Sequence, residues 1–199
     1  DIVLRHNIRD AMLLRSLASH LMSQTGKLLS FQRLANIMQV SNDLSISYCS
    51  HIQEAYLVEF LPFYSLKTSI RQRHPHKIHT LDLGLRNIVS LAHSEDTGHL
   101  IETAVYAALR RRFGDQVFYW KNEGEIDFVI QQGTRVTHVY QVVAEGLDEE
   151  DVVGRELRAM KEAADQFPKA ECILIVKQPP KKTLKLPYKA IPLWQFLLD

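Results

Sequence analysis

The sequence predicts a mixed α+β chain in two parts, a helical helix-turn-helix unit followed by an α-β-β-β-α-β domain. Three observations predict it. Two short amphipathic segments between Ser30 and Glu54 are separated only by Gln39-Val40-Ser41, the spacing of a helix-turn-helix. From Gly98 onward, apolar residues recur at three- and four-residue steps, then give way to three short runs rich in Val, Ile, Phe and Tyr. Finally, Asp127 stands inside the apolar run Ile126-Asp127-Phe128-Val129-Ile130, where a carboxylate loses its hydration and needs a donor, a cation or a metal in exchange.

Residues 2–25 read as one helix, with Ile8, Met12, Leu13, Leu17, Ala18, Leu21 and Met22 on its apolar side and Gly26 as its stop. Ser30 caps a helix over Phe31–Met38 with Leu34 and Ile37 inward. Ser41 or Asn42 caps a second helix to about Glu54, with Leu44, Ile46, Cys49, Ile52 and Ala55 inward. A hairpin is expected next, out along Leu57–Tyr64 and back along Lys77–Leu81. Helix-turn-helix plus hairpin is the pattern of a winged helix. Its second helix offers Asn42, Asp43, Ser45, Ser47, Ser50, His51 and Gln53 to solvent, without Arg or Lys. The basic stretch lies in the hairpin tip, where Lys67, Arg71, Arg73 and Lys77 are the candidate phosphate contacts. His74, His76 and His79 accompany them, a weak zinc pattern with no Cys beside it.

Residues 93–97 read as a linker. The helix from Gly98 to Phe113 carries Glu102 beside its apolar face and Arg110-Arg111-Arg112 at its C-terminus. Strands are expected at Val117–Trp120, Ile126–Gln131 and Arg135–Val143, with Gln132-Gly133 as a turn. Asp148–Phe167 reads as a helix, Cys172–Val176 as a short strand, Pro179–Lys189 as a basic loop, and Ile191–Leu198 as a packed C-terminal segment. Tyr119 and Trp120 read as core. Domain boundaries follow: a connecting helix at 1–28, a winged-helix-like domain at 29–90 and the α-β-β-β-α-β domain at 98–199.

Composition excludes several classes. The chain has 199 residues, 24 Lys and Arg against 23 Asp and Glu, and a net charge of +1, so no global field favours nucleic acid or a membrane surface. No apolar run reaches the ~18–20 residues of a membrane span. Cys49 and Cys172 sit in apolar contexts and read as free thiols, which fits a reducing, cytoplasmic compartment. A P-loop is absent from the sequence, where Gly26-Lys27 stands alone. The chain opens on Asp1-Ile2-Val3-Leu4 without Met, so a piece of a longer protein is expected.

If Asp127 shares a face with Gln141 on the next strand and the Glu102 helix covers that face, the three converge. Two carboxylates and an amide oxygen are hard ligands suited to Mg²⁺ or Mn²⁺. A structural alternative is Asp127 held by hydrogen bonds or by Arg155.

Here the sequence resembles a known group. The helix Glu102, Gly124-Glu125-Ile126-Asp127 and the Gln141 strand, in αβββαβ order, are similar to the PD-(D/E)XK restriction-endonuclease superfamily. More narrowly, the order of Ile8-Arg9-Asp10, Ser30–Leu57, His79–Leu85, Gly98–Glu102, Tyr119-Trp120, Gly124–Val129 and Tyr140–Val142 resembles the region following the AAA+ module in a group of bacterial and archaeal ATPases. That resemblance implies a restriction-endonuclease-like domain, an ATPase module outside this chain that alone holds ATP, and no resident cofactor here beyond a candidate Mg²⁺ or Mn²⁺. It also implies Glu102, Asp127 and Gln141 as the catalytic or metal positions. The motif lysine is replaced by Val143, which neither positions water nor stabilises charge; Lys121 is a candidate substitute. The expected function is therefore a non-catalytic accessory region binding DNA or a protein partner. The alternatives are an active Mg²⁺-dependent nuclease and a docking or self-association platform.

Overall fold

The computed structural model describes residues 2–89, 97–144, 150–178 and 186–198. Residues 93–96 of the expected 93–97 linker and most of the basic loop at 179–189 lie outside them; Thr97 opens a helix. The first helix divides into α1 (Ile2–Arg5) and α2 (Ala11–Ser23). Asn7 adopts φ 50°, and the Asp10 side chain accepts the Leu13 N–H at 2.8 Å, restarting the helix as an N-cap. A short strand β1 (Leu28–Leu29) precedes α3 (Phe31–Met38) and α4 (Asn42–Glu54), which Ser30 and Ser41 cap as expected. Gln39 turns the chain between them at φ 55°.

The inward face of α4 is rotated from the expected one. Ser45, Tyr48, Cys49 and Ile52 are buried at i, i+3, i+4 and i+7. Ile37 and Ile46 are exposed instead. Ser45, expected at the surface, donates to the Phe31 carbonyl at 3.3 Å and ties α4 to α3.

The hairpin forms from β2 (Val58–Leu61) and β3 (His76–Thr80), paired antiparallel, but its tip contains a helix α5 (Thr68–Arg73). β3 is the centre of a three-stranded sheet in the order β1-β3-β2. Ile78 joins the core of this unit with Leu17, Leu21, Leu34 and Ile52. By alternation its neighbours Lys77 and His79 leave by the other face. A short α6 (Leu83–Val89) completes the unit.

The second unit begins with α7 (Thr97–Phe113). Strands β4 (Val117–Lys121), β5 (Glu125–Gln132) and β6 (Arg135–Val143) run antiparallel. Helix α8 (Glu150–Gln166) crosses over to β7 (Glu171–Val176), parallel to β6. A further parallel strand, β8 (Lys189–Pro192), and α9 (Leu193–Leu198) close the chain. The sheet order is β4-β5-β6-β7-β8. One face packs Trp120, Val129, Val139 and Val143 against Met160 and Ala163 of α8. The other packs Tyr119, Phe128, Ile130 and Tyr140 against Val105 and Leu109 of α7 and Phe196 of α9. Tyr119 and Trp120 are therefore core. Among the described residues both sheets are covered by helices, an α+β arrangement, and no helix is long and apolar enough to cross a membrane. Cys49 and Cys172 are free.

The two units meet through strand-like and polar contacts. Phe63 bridges Tyr119, Tyr119 Oη donates to the Pro75 carbonyl at 2.5 Å, and Thr25 Oγ1 lies 3.1 Å from Thr103 Oγ1. Gly26 sits at φ +78°, and a Cβ there would stand 2.5 Å from His99 Nδ1. Gly26→Ala therefore combines left-handed strain with a clash. We expect it to lower stability by about 1–2 kcal/mol, a Tm drop of about 2–8 °C for a chain this size, measured by thermal unfolding.

Candidate functional site

The site is built on an irregularity in β5. Phe118 pairs with Val129 but Trp120 pairs with Ile126, so β5 carries one extra residue at Asp127-Phe128. A bulge of this kind re-aims a side chain. Ile126 and Val129 pack toward α8 while Phe128 packs toward α7, and Asp127 is left at the mouth of the α7 side.

The β5–β6 pairing ends at Phe128–Tyr140. Beyond it, side chains replace the backbone ladder. The Asp127 N–H donates to Gln141 Oε1 at 3.1 Å, and the Val142 N–H donates to Asp127 Oδ2 at 2.9 Å. The strands open here, over a cavity of about 460 Å³ lined by Lys77, Glu102, Glu125, Asp127, Gln141 and Glu156 among others.

Glu102 reaches this cavity from α7 and is buried. The convergence expected of Glu102 and Asp127 is present; that of Gln141 takes a different form. Alternation along β6 puts Gln141 with Val139 and Val143 on the α8 face. Its Nε2 donates to Glu156 Oε2 at 2.6 Å, and its oxygen already accepts from Asp127. Gln141 thus braces the opened strands. Glu156, which no sequence motif marked, is held in turn by Arg155 at 2.8 Å. Arg155, a candidate partner for Asp127, pairs with Glu156 among the described residues.

The cation facing Asp127 is Lys77, carried in by β3 of the first unit. Its Nζ lies 2.8 Å from Glu102 Oε1, 2.8 Å from Glu125 Oε1 and 3.1 Å from Asp127 Oδ1. Lys77 is only 2% exposed. Its burial corrects the sequence reading of Lys77 as a phosphate contact at the hairpin tip. Arg71 is also engaged: its guanidinium lies over the Phe118 ring at 4.4 Å, donates to Gln131 Oε1 at 2.6 Å and also reaches the Ser65 carbonyl. Lys67 and Arg73 are exposed on and beside α5. Lys121 is half in solvent and pairs with Glu125 at 3.6 Å.

The three histidines point to separate places. His74 stacks on Phe63 at 4.1 Å. His76 packs beside Phe31 and Phe60. His79 is fully buried, stacked on Tyr106 at 4.3 Å, with Nδ1 3.0 Å from Thr103 Oγ1 and Nε2 3.8 Å from Glu102 Oε1. They form no zinc cluster.

Electrostatics follow from burial. Burial alone would raise Glu102, but Lys77, His99 and His79 outweigh it and hold the carboxyl down to about 2. Burial raises Asp127 to about 7, and the Glu102 charge adds to that rise against the pull of Lys77 and the Val142 N–H. Burial also lowers His79 to about 3, so its imidazole is neutral. Among the described residues, Glu102, Glu125, Asp127 and Glu156 face two cations, Lys77 and Arg155, an excess of two negative charges when every carboxylate is ionised. Glu102 Oε1 is buried, and the Lys77 ammonium at 2.8 Å is its partner.

Two outcomes follow. Removing the ammonium strands three carboxylates, so Lys77→Met is expected to cost about 3–5 kcal/mol at pH 7.5 in urea unfolding. The second concerns pH. Asp127 is raised in the fold, so its contribution is present below the unfolded value of about 3.9 and is lost as pH rises through about 7. His79 is lowered, so its contribution is present above about 6.5 and is lost as pH falls toward about 3. Glu102 acts only below its own unfolded value, between about 4.3 and about 2. Between about pH 4 and 6.5 Asp127 and His79 oppose each other. Asp127→Asn is thus expected to gain stability relative to wild type as pH rises from 4.5 to 7.5, measured by urea unfolding at each pH.

Comparison with known proteins adds the following. The chain is 30% identical over 139 residues to the uncharacterized protein MJ1544 of Methanocaldococcus jannaschii, covering 65% of this chain and 31% of that protein. It thus spans about a third of that relative's length. No solved structure matches. Residues 1–96 match a family model described as Domain of unknown function (DUF8612). Residues 97–196, which supply Glu102, Asp127, Gln141 and Glu156, match the model described as Domain of unknown function (DUF4143), and the chain belongs to that family.

Proposed function

We propose that the cavity is a metal-dependent phosphodiester-cleaving site of the restriction-endonuclease type, with its lysine supplied by the first unit. The observation that carries this reading is Lys77 Nζ at 2.8 Å from Glu102 and 3.1 Å from Asp127. It offers the charge that Val143 lacks, from β3 instead of β6. The donor set fits Mg²⁺ or Mn²⁺: Glu102 and Asp127 are hard oxygen ligands, and among the described residues the cavity gathers four acidic side chains, Glu102, Glu125, Asp127 and Glu156, against Lys77 and Arg155. Such an ion, when bound by Glu102 and Asp127, supplies Lewis-acid activation of water and of the phosphate.

The chain's own residues do the rest. Lys77 offsets negative charge building on the phosphoryl oxygens as water adds to phosphorus and the ester P–O bond breaks. Glu125 steadies the ammonium from the cavity rim. Gln141 and Glu156 keep the strand ends apart, and neutral His79 backs Glu102.

The first unit is read as a winged helix, its basic α5 standing in the tip, with Lys67 and Arg73 as the exposed cations for a nucleic-acid backbone. The chain as a whole is read as an accessory region of a larger ATPase; the greater length of the archaeal relative is compatible with this.

A second reading has its own support. The three carboxylate oxygens surround Nζ at ammonium distances, and Gln141 is committed to Asp127 and Glu156. In that reading the ammonium is the permanent cation and the domain is a recognition module for nucleic acid or protein.

The test is incubation of the chain with end-labelled single- and double-stranded DNA and RNA in Mg²⁺ or Mn²⁺, beside Asp127→Asn and Lys77→Gln, with folding checked by circular dichroism. Cleavage that falls at least about 100-fold in folded variants is expected, the size of loss seen when a transition-state donor is removed. No cleavage by wild type, with binding intact, supports the recognition module; neither cleavage nor binding points to a protein partner. Neutralising Lys67 and Arg73 together is expected to reduce the slope of log binding constant against log salt by about 1–2.

A further inference from the structure

We propose that His6, His51 and Glu54 form a second, separate site for a transition-metal dication of the zinc class. Each offers one ligand atom, and these atoms all lie within 4.8 Å of one another. His51 and Glu54 are one turn apart on α4, so both project on one side. His6 follows α1 and lays its ring on that of His51, with centroids 3.8 Å apart and planes 24° apart. His6 Nε2 stands 3.1 Å from Glu54 Oε2. Two imidazoles and a carboxylate are a familiar zinc donor set, with a fourth position open to water.

A second observation picks out the ligand atom on His51. Its Nε2 is 3.3 Å from Ser47 Oγ, while its Nδ1 is buried with no hydrogen-bond partner. If Nε2–H donates to Ser47, Nδ1 keeps its lone pair. That is how an outer hydrogen bond fixes the tautomer of a metal-bound histidine. Without a metal, His6 Nε2–H meets Glu54 and His51 Nε2 meets Ser47, while His51 Nδ1 has no partner. A dication replaces that proton and uses the His51 lone pair as well. Arg5 lines the same cavity of about 390 Å³, and its charge opposes the ion; two nitrogen ligands and one carboxylate must outweigh it.

The consequence is a staple. An ion here fastens the segment around α1 to the last turns of α4, over Ser47 and His51, two of the residues expected to read bases. The metal therefore covers that end of α4. This inference is independent of the phosphodiester-cleaving site.

The test uses the full chain at pH 7.5. Zn²⁺ is titrated in competition with a chromogenic chelator, and thermal unfolding is followed with and without the metal. Variants are His6→Ala, His51→Ala, Glu54→Gln and, as a control for the other cavity, Asp127→Asn. A Zn²⁺ that Asp127→Asn retains, and that binds at least about tenfold more weakly in the first three variants, is expected. A Tm rise with Zn²⁺ in wild type, lost in His6→Ala, accompanies it. His6 lies outside the buried core, so this variant keeps the test meaningful if His51→Ala fails to fold. Absence of micromolar binding, or binding equal in wild type and His6→Ala (an adventitious ion only), overturns the proposal.

Discussion

The buried ammonium of Lys77 is the constraint on which the rest of the structure depends. A lysine 2% exposed is tolerable only because Glu102, Glu125 and Asp127 surround it. Those acids come from α7 and β5, whereas Lys77 comes from β3. The joint between the two units and the candidate site are therefore one arrangement of charges. Neither unit can leave without exposing an unbalanced set. The neighbouring contacts serve the same registration: Thr25 meets Thr103, Tyr119 holds the Pro75 carbonyl, and Gly26 makes room for His99.

The second constraint is the opening between β5 and β6. A regular ladder would pair the backbones of Asp127 and Gln141 and leave no cavity. The extra residue in β5 and the switch to side-chain hydrogen bonds let the strands part while every donor named there stays satisfied. Asp127 then does two things at once. One oxygen secures Val142, and the other faces the ammonium.

Much of this was legible in the sequence. Ser30 and Ser41 marked both helix starts because a cap is a local hydrogen bond that needs no tertiary context. Asp127 stood out because a carboxylate in an apolar run always needs a partner. The position of that partner was not legible. Lys77 lies in a stretch with Arg71, Arg73 and several histidines, and composition alone groups it with them as a phosphate contact. The signal available was its place next to Ile78 in a strand: alternation gives Lys77 and His79 one shared face, and two polar residues on one face of a central strand require something to meet. Gln141 was misplaced for the converse reason. It shares a face with Val143 as expected, but the bulge takes Asp127 out of simple alternation, and a bulge depends on pairing with β4. Ile37 and Ile46 show the same limit in the helices, where a small rotation of the buried face follows from packing and not from hydrophobicity.

The most direct test of the central claim is a crystal of the full chain soaked in Mn²⁺, read by anomalous diffraction. The account predicts a peak within bonding distance of Glu102 and Asp127, with Lys77 Nζ displaced from between them but still lining the cavity. A strong diffraction set with no peak there, and Nζ still seated among the three carboxylates, would contradict it. The lysine would then be the permanent cation between Glu102 and Asp127, and the domain a recognition module.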